Sequence, residues 1–200
     1  MTIGINNVYV SDCLSFMQNM DSNSMDMVLT SPPYDNLRKY DGYSFDFFPI
    51  ARELYRIMKE GSVMVWVVGD QTVDGSETGE SFRQALGFMD NGFRLHDTMI
   101  YAKDPRYAQK NRYGSSFEYM FILSKAKPKT FNPIMRKTLN PGHNKFVTNR
   151  NYDGELIIRR YTSPGEAPLY NIWYYSSGFM KTTKDTEASI VLVFLFPNIQ

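Results

Sequence analysis

Apolar and polar segments alternate along the first hundred residues in a way that predicts helices and strands in turn. An apolar stripe at helical spacing runs from Phe47 to Met58 and ends at Gly61, and a second runs from Phe82 to Met89. Short apolar runs of strand type separate these helices. We predict strands at residues 8–10, 27–29, 63–68, 95–102 and 117–123, and a further helix at residues 14–20. The pattern indicates an α/β fold that ends in an antiparallel pair of strands.

Two segments of the chain differ in their apolar pattern. Residues 63–68 are apolar at every position, which predicts a strand covered by helices on both faces of a parallel sheet. From Pro133 to Trp173 the periodicity fades, and Pro, Gly, Asn and basic residues are interleaved with Tyr and Phe. We expect that second stretch to be a loop-rich region outside the core.

Charge is distributed unevenly, although the net charge is only +1. Residues 1–102 carry 7 Lys and Arg against 14 Asp and Glu, whereas residues 103–160 carry 13 against 4. The basic segment indicates a surface that binds a polyanion, and the alternative is an ordinary solvated surface. Candidate phosphate-binding residues are Arg106, Lys110, Arg112, Lys145 and Arg150.

The composition excludes other kinds of chemistry. Cys13 is the only cysteine and there are two histidines, so we expect neither an internal disulfide nor a zinc cluster. The longest apolar run, residues 190–196, is too short to span a bilayer. No secretory signal is visible at the N-terminus, and we expect a cytoplasmic protein.

The candidate catalytic motif is Ser31, Pro32, Pro33 and Tyr34, placed directly after an apolar strand. Proline cannot continue a central strand, so the motif lies at the carboxyl end of the sheet, where α/β folds bind ligands. A hydroxyl on Ser31 and the carbonyl of Pro32 suit the two hydrogens of an aromatic amine, because accepting them favours a pyramidal nitrogen with a free lone pair. Tyr34 suits stacking on a base that has left the double helix.

This motif and its surroundings resemble those of the N4/N6 amino-group DNA methyltransferases. Ser at the first motif position is typical of the cytosine-N4 enzymes, and Asp or Asn is more usual in the adenine-N6 enzymes. The resemblance covers residues 8–128 and includes the segments 59–70 and 117–125. It implies an incomplete Rossmann-like methyltransferase sheet, S-adenosylmethionine as cofactor, and double-stranded DNA with a flipped base as partner. It also implies a catalytic region at residues 1–132, a target-recognition region at 133–175 and an atypical tail at 176–200.

The resemblance assigns a few further residues. Asp12 matches the acidic residue near the adenosine part of the cofactor, and it is equally suited to capping the following helix. Phe117 or Tyr119 contacts the flipped base in one interpretation, but we favour core packing for both. For Asp70, at a strand end, we favour a solvated turn over a place in the cofactor cleft.

One expected feature is missing from the 200 residues. The family carries a glycine-rich loop of the type Asp-Pro-Phe-x-Gly-x-Gly, in which a side chain would block the cofactor, and no such motif occurs here. We expect that the chain is truncated before it. The apolar residues 190–196 either replace a missing strand beside residues 27–29 or form an unpaired tail, and we favour the tail.

Three functions follow from these patterns. The first is a site-specific DNA methyltransferase that transfers a methyl group to cytosine N4, with adenine N6 as the alternative target. The second is a non-catalytic remnant that only binds DNA. The third, a general single-strand binding module, is disfavoured by the context of the Ser31 motif.

Overall fold

The computed structural model describes residues 7–32, 45–104 and 110–175, together with the backbone of residues 194–196. The chain divides into two compact units. We call residues 1–130 and 171–200 the sheet unit, and residues 131–170 the ribbon unit.

The described elements alternate through the sheet unit and are purely β in the ribbon unit. In chain order they are α1 (Cys13–Gln18), β1 (Met25–Thr30), α2 (Phe47–Ile57), β2 (Met58–Val68), β3 (Thr72–Val73), β4 (Ser76–Glu77), α3 (Glu80–Asp90), β5 (Arg94–Lys103), β6 (Phe117–Ser124), β7 (Met135–Lys137), β8 (Asn144–Arg150), β9 (Leu156–Thr162), β10 (Glu166–Pro168), β11 (Ile172–Tyr175) and β12 (Phe194–Phe196).

The main sheet has the order β11-β5-β6-β2-β1-β12. Strands β1 and β2 run parallel and are joined by α2, as a parallel pair requires a crossover. Strand β6 is antiparallel to both of its neighbours, β2 and β5, so the predicted antiparallel pair is confirmed. Strand β11 pairs parallel with β5. The α/β class is therefore also confirmed.

The core of the sheet unit lies between this sheet and the helices. Trp66 is at its centre, and its indole N–H donates to the Gln84 side-chain oxygen at 2.8 Å. Phe47 and Phe88 contact the Trp66 ring edge-on. The polar pair in the middle of an apolar core is satisfied internally, so burying it does not leave an unpaired donor.

Only one face of β2 is fully buried, which corrects the prediction that helices cover both. Met64, Trp66 and Val68 are at most 1% exposed and belong to the same core cluster as residues of α2 and α3. The alternate positions Val63 and Val65 are half-buried. A continuous apolar run predicts strand burial, but it does not specify which element covers each face.

Other predictions about strands were also wrong. Residues 8–10 form no strand, and Val8 and Val10 are 91% and 100% exposed, because no described strand pairs with them. The apolar run 190–196 contributes β12, which pairs antiparallel with Met27, Val28 and Leu29 of β1 rather than forming an unpaired tail. The stretch 133–173 contains β7 to β10, paired as β7–β10 and β8–β9.

Lys125 is a buried cation that joins three parts of the sheet unit. It is 7% exposed, and its ammonium group donates to the Asn23 side-chain oxygen and to the carbonyls of Tyr55 and Met58 at 2.8, 2.9 and 3.0 Å. The ammonium also lies 4.7 Å from the centre of the Tyr55 ring. The end of β6 is thereby tied to the junction of α2 and β2.

We predict that Lys125→Ala lowers the free energy of unfolding by about 3 kcal/mol, because it leaves buried acceptors without their charged donor. Lys127→Ala is the matched control, since Lys127 is exposed and surface substitutions usually change stability by about 0.5 kcal/mol or less. Urea denaturation followed by circular dichroism measures both. Equal midpoints for the two variants would show that the Lys125 contacts add nothing.

Candidate active site

Ser31 and Pro32 lie where β1 ends. Thr30, the last residue of β1, pairs with Trp66 of β2 and is 3% exposed. Ser31 is exposed and Pro32 is buried. Pro33 and Tyr34 lie outside the described residues. Because β1 and β2 are parallel, Ser31 is presented at the carboxyl edge that the sequence predicted.

A small apolar cavity lies behind this loop. Its volume is about 10 Å³, close to that of one water molecule. It is lined by residues from α1, β1, α2, β2 and the segments beside them: Cys13, Met17, Thr30, Pro32, Phe45, Ile50, Leu54 and Trp66. This cavity is far too small to hold a nucleotide or a base.

Thr30 brings an unsatisfied group to this cavity. Its hydroxyl is buried and has no hydrogen-bond partner among the described residues. A buried hydroxyl without a partner costs free energy. Sequence reasoning did not single out Thr30, because its burial follows from the sheet register.

Asp12 caps α1 beside the same cavity. Its carboxylate accepts from the backbone N–H of Ser15 at 2.9 Å, and this hydrogen bond to Ser15 lowers the pKa of the Asp12 carboxyl. Asp12 directly precedes Cys13, which lines the cavity together with Pro32. The exposed Asp12 therefore lies one residue from the cavity that Pro32 lines, and its capping role is confirmed.

Arg56 holds α1 in this position. Its guanidinium donates to the carbonyls of Met17 and Met20 at 2.7 and 2.8 Å, near the C-terminus of α1. It also forms an ion pair with Glu53 at 2.7 Å. A cation at a helix C-terminus satisfies carbonyls that have no partner within the helix. The sequence pattern gave no sign of this contact, because Arg56 lies on another helix.

Aromatic side chains gather near the carboxyl end of β2. The ring of Tyr119, which pairs with Val68, lies 5.3 Å from those of Phe82 and Phe117, between ring centres. Burial, together with the negative charges of Asp70 and Glu77, raises the pKa of Tyr119. Tyr119 is thus packed among rings, as we expected.

Phe117 differs from Tyr119 because it remains 42% exposed. The core position that we favoured for it is therefore wrong. Phe117 begins β6, and its ring touches Tyr119 on one side only among the described contacts.

Asp70 does not lie in a simple solvated turn, which corrects that interpretation. It accepts from the backbone N–H of Ser81 at 2.9 Å and from the Ser81 hydroxyl. It caps the first turn of α3 from a distance, because Gly79 occupies the N-cap position and has no side chain.

The candidate DNA-binding residues are divided between the two units. In the sheet unit Lys110 is exposed, whereas Arg112 donates to the Thr72 hydroxyl at 3.1 Å and to the Gly75 carbonyl, so it is bound to the β3–β4 hairpin. In the ribbon unit the Lys145 ammonium lies over the Tyr161 ring, and Arg150 donates to the Gly154 carbonyl. Arg106 lies outside the described residues.

Some further features concern metals and membranes. Within the described ranges, no group of three or more His, Cys, Asp or Glu side chains is arranged to hold a metal ion. No helix among the described residues is long and apolar enough to cross a bilayer.

Comparison with known proteins identifies the family. Residues 25–197 match the family model described as DNA methylase, N6/N4 type. The orphan methyltransferase M.BamHII of Bacillus amyloliquefaciens is 49% identical over 178 residues, which cover 86% of this chain and 67% of that protein. The chain belongs to the N6/N4 DNA methylase family. M.SmaI of Serratia marcescens is 24% identical over 163 residues, covering 60% of this chain and 56% of its own length.

A solved structure supports the same fold. The cytosine-N4-specific PvuII DNA methyltransferase superimposes with a TM-score of 0.52 at 20% identity, covering 60% of this chain and 50% of that chain. At this identity the likeness shows a Rossmann-like fold alone. The chain spans between about half and two thirds of the length of these relatives.

We predict that Thr30→Val raises the free energy of unfolding by about 1 kcal/mol. The substitution keeps the shape of the side chain and removes a buried hydroxyl that lacks a partner. Thermal and urea denaturation measure the change, with Thr98→Val on half-buried β5 as a control. A clear loss of stability in Thr30→Val would mean that the hydroxyl makes a hydrogen bond.

We predict that Asp12→Ala lowers the melting temperature at pH 7 and that the difference from the original protein disappears in acid. The folded-state pKa of Asp12 is lowered from 3.8, so its contribution is present above the unfolded pKa and is lost as pH falls through the folded value. Melting temperatures between neutral and strongly acidic pH check this. Asp12→Asn is the control, because Asn also caps helices, and it should lose less than Asp12→Ala at pH 7.

Proposed function

We propose that this chain acts in a site-specific DNA methyltransferase, and that its substrate is the N4 amine of cytosine in DNA. The observation that carries the proposal is the exposed Ser31, followed by the buried Pro32, at the carboxyl end of β1 in a member of this family. Ser at this motif position favours cytosine N4. The PvuII enzyme, which shares the fold, is cytosine-N4-specific.

The chemistry that these residues suit is activation of a poor nucleophile. The lone pair of the cytosine amine is delocalised into the ring. If the Ser31 hydroxyl and the Pro32 carbonyl accept its two hydrogens, the nitrogen becomes pyramidal and its lone pair is available for attack. The nitrogen would then bond to the methyl group as the bond between that methyl and the donor sulfonium sulfur breaks. The nitrogen would release one proton to solvent, and the donor would leave as a neutral thioether. Burial of Pro32 fixes the loop, so its carbonyl needs little reorganisation.

The cofactor would be S-adenosylmethionine, which supplies an electrophilic methyl group on a sulfonium. Asp12 fits the adenosine part, because its carboxylate is exposed and it lies one residue from the cavity that Pro32 lines. The lining of the 10 Å³ cavity does not fit any part of the cofactor.

The target base requires a flat surface once it has left the double helix. Tyr34 is the first candidate from the motif. Phe117 is a second, because 42% of its surface is exposed at the same edge of the sheet, whereas Tyr119 already contacts three other rings. An aromatic ring binds any base through stacking, so neither residue would choose between cytosine and adenine.

A second candidate function is DNA binding without catalysis. It is favoured by the charge of the ribbon unit, which carries six Lys and Arg against three Asp and Glu. Cofactor affinity separates the two functions. Purified protein, shown to be folded by circular dichroism, is titrated with S-adenosylmethionine in a calorimeter. Micromolar binding supports the enzyme, and no binding by a folded sample supports the remnant.

We predict that Ser31→Ala reduces methyl transfer about 100-fold or more while cofactor affinity stays unchanged, because the lost hydroxyl acts on the amine and not on the cofactor. The assay measures transfer of a radiolabelled methyl group to unmodified plasmid DNA. Ser76→Ala is the matched control, since Ser76 lies in the exposed β3–β4 hairpin.

The product identifies the target. Mass spectrometry of the digested DNA distinguishes N4-methylcytosine from N6-methyladenine, and the latter would overturn the cytosine assignment while preserving the enzyme class. Full activity in Ser31→Ala would contradict the proposed mechanism.

A further inference from the structure

Strands β8 and β9 form a two-stranded antiparallel ribbon whose two faces differ. Residues directly opposite each other in the register lie on the same face. The first face, which we call the Arg160 face, consists of Asn144 with Thr162, Phe146 with Arg160, Thr148 with Ile158, and Arg150 with Leu156. The second face, which we call the Arg159 face, consists of Lys145 with Tyr161, Val147 with Arg159, and Asn149 with Ile157.

The Arg160 face is the more open of the two. Its apolar members Phe146, Ile158 and Leu156 are 75%, 59% and 58% exposed. On the Arg159 face, Val147 and Ile157 are half-buried. Three large apolar side chains in the open on one face of a ribbon are unfavourable in water, which indicates that this face is covered when the protein functions.

The ribbon is held rigidly at both ends. At its open end, the Thr162 hydroxyl donates to the Asn144 side-chain oxygen at 2.7 Å. At its turn, Asn151 and Glu155 are joined through backbone and side chains, and Arg150 donates to the Gly154 carbonyl at 3.0 Å. A hairpin that is already ordered loses little entropy on binding.

We propose that the Arg160 face lies in the major groove of duplex DNA and selects the target sequence, with Arg160 recognising a guanine. This inference rests on the proposed function. The major groove of B-DNA admits a two-stranded β-ribbon. Arginine pairs with the O6 and N7 atoms of guanine, and apolar side chains contact the thymine methyl group, so the composition of this face matches what the groove displays.

Charge supports duplex DNA as the occupant. The ribbon unit carries six Lys and Arg against three Asp and Glu. Within the β8–β9 hairpin, the two acidic residues, Asp153 and Glu155, lie in the turn, outside the paired strands. Arg160 makes no ion pair with any residue in the described part of the chain and is exposed, so its guanidinium can contact a base. Arg150 already donates to the turn and is the weaker candidate for base contact.

The length of the ribbon fits a short recognition site. Seven residues at about 3.4 Å each span about 24 Å. Successive pairs on one face are two residues, or about 7 Å, apart, which is about two base-pair steps of B-DNA. The Arg160 pair and the Arg150 pair therefore lie about four base pairs apart, and the Ile158 pair lies between them.

The test is selection of bound duplexes from a random-sequence library by the full chain, followed by sequencing. We expect the original protein to enrich a short consensus. Arg160→Ala should remove the preference for guanine at one position and weaken consensus binding about ten- to a hundred-fold. Arg160→Lys should keep the affinity for unrelated duplex but weaken the guanine preference, because an ammonium lacks the planar fork that matches the O6 and N7 atoms of guanine.

Arg159→Ala is the matched control, since Arg159 is the neighbouring cation on the other face. It should leave the consensus unchanged and weaken consensus and unrelated duplexes equally, by a few-fold at most, because the ribbon loses one positive charge near the DNA. Ile158→Ala should alter the preference about two base pairs from the position that depends on Arg160. Circular dichroism of each variant excludes unfolding as the cause.

The outcomes separate this inference from the proposed function. The ribbon does not select sequence if duplex DNA is bound without a consensus, or if Arg160→Ala and Arg159→Ala leave the same consensus. In either case the methyl-transfer assay still tests the proposed function independently. If the original protein retains no duplex at all, DNA binding itself fails and the inference fails with it.

Discussion

The parallel pairing of β1 and β2 is the constraint on which the rest of the sheet unit depends. Parallel neighbours need a crossover, and α2 provides it with a buried stripe that includes Ile50 and Leu54. The pairing also fixes Thr30 beside Trp66, so that the strand ends at the sheet edge and Ser31 follows in the open. The core around Trp66 and the position of the candidate nucleophile-activating loop thus have one common cause.

Local sequence pattern predicted the three helices and strands β1, β2, β5 and β6 of this unit, but not its other strands or all of the strand partners. The stripes of α2 and α3 are helical in period, and proline marks the end of β1, so these could be read from neighbouring residues. Residues 8–10 have the composition of a strand, yet a strand exists only where another strand accepts its backbone groups. The ribbon of β8 and β9 was missed for the opposite reason. Both of its faces mix polar and apolar residues, so no alternation of period two appears.

The candidate site was predictable to the same extent. The place of Ser31 and the cap formed by Asp12 depend on residues within a few positions of each, and both could be inferred. Arg112 was an equally reasonable phosphate ligand by charge, but it is bound to Thr72 and Gly75, about forty positions away. Arg56 is the opposite case. Its contacts to α1 support the site, and no pattern in the neighbouring sequence indicates them. Side chains that act across distant segments require the tertiary structure to be known.

The β8–β9 ribbon and the sheet edge around Ser31 differ in how freely their side chains can be substituted. The backbone hydrogen bonds of the β8–β9 ribbon are made within the pair and at its two ends, and the side chains of Phe146, Leu156 and Ile158 are more than half exposed. Substitutions on that ribbon therefore cost little stability. The residues around Ser31 are less free to change. Thr30, Pro32 and Trp66 line the same cavity, so a substitution at one of them alters the packing of the others. If the ribbon selects sequence as we propose, the preferred DNA sequence can change through substitutions on the ribbon. The close packing around Ser31 limits substitutions at the sheet edge, so the reaction itself changes less readily.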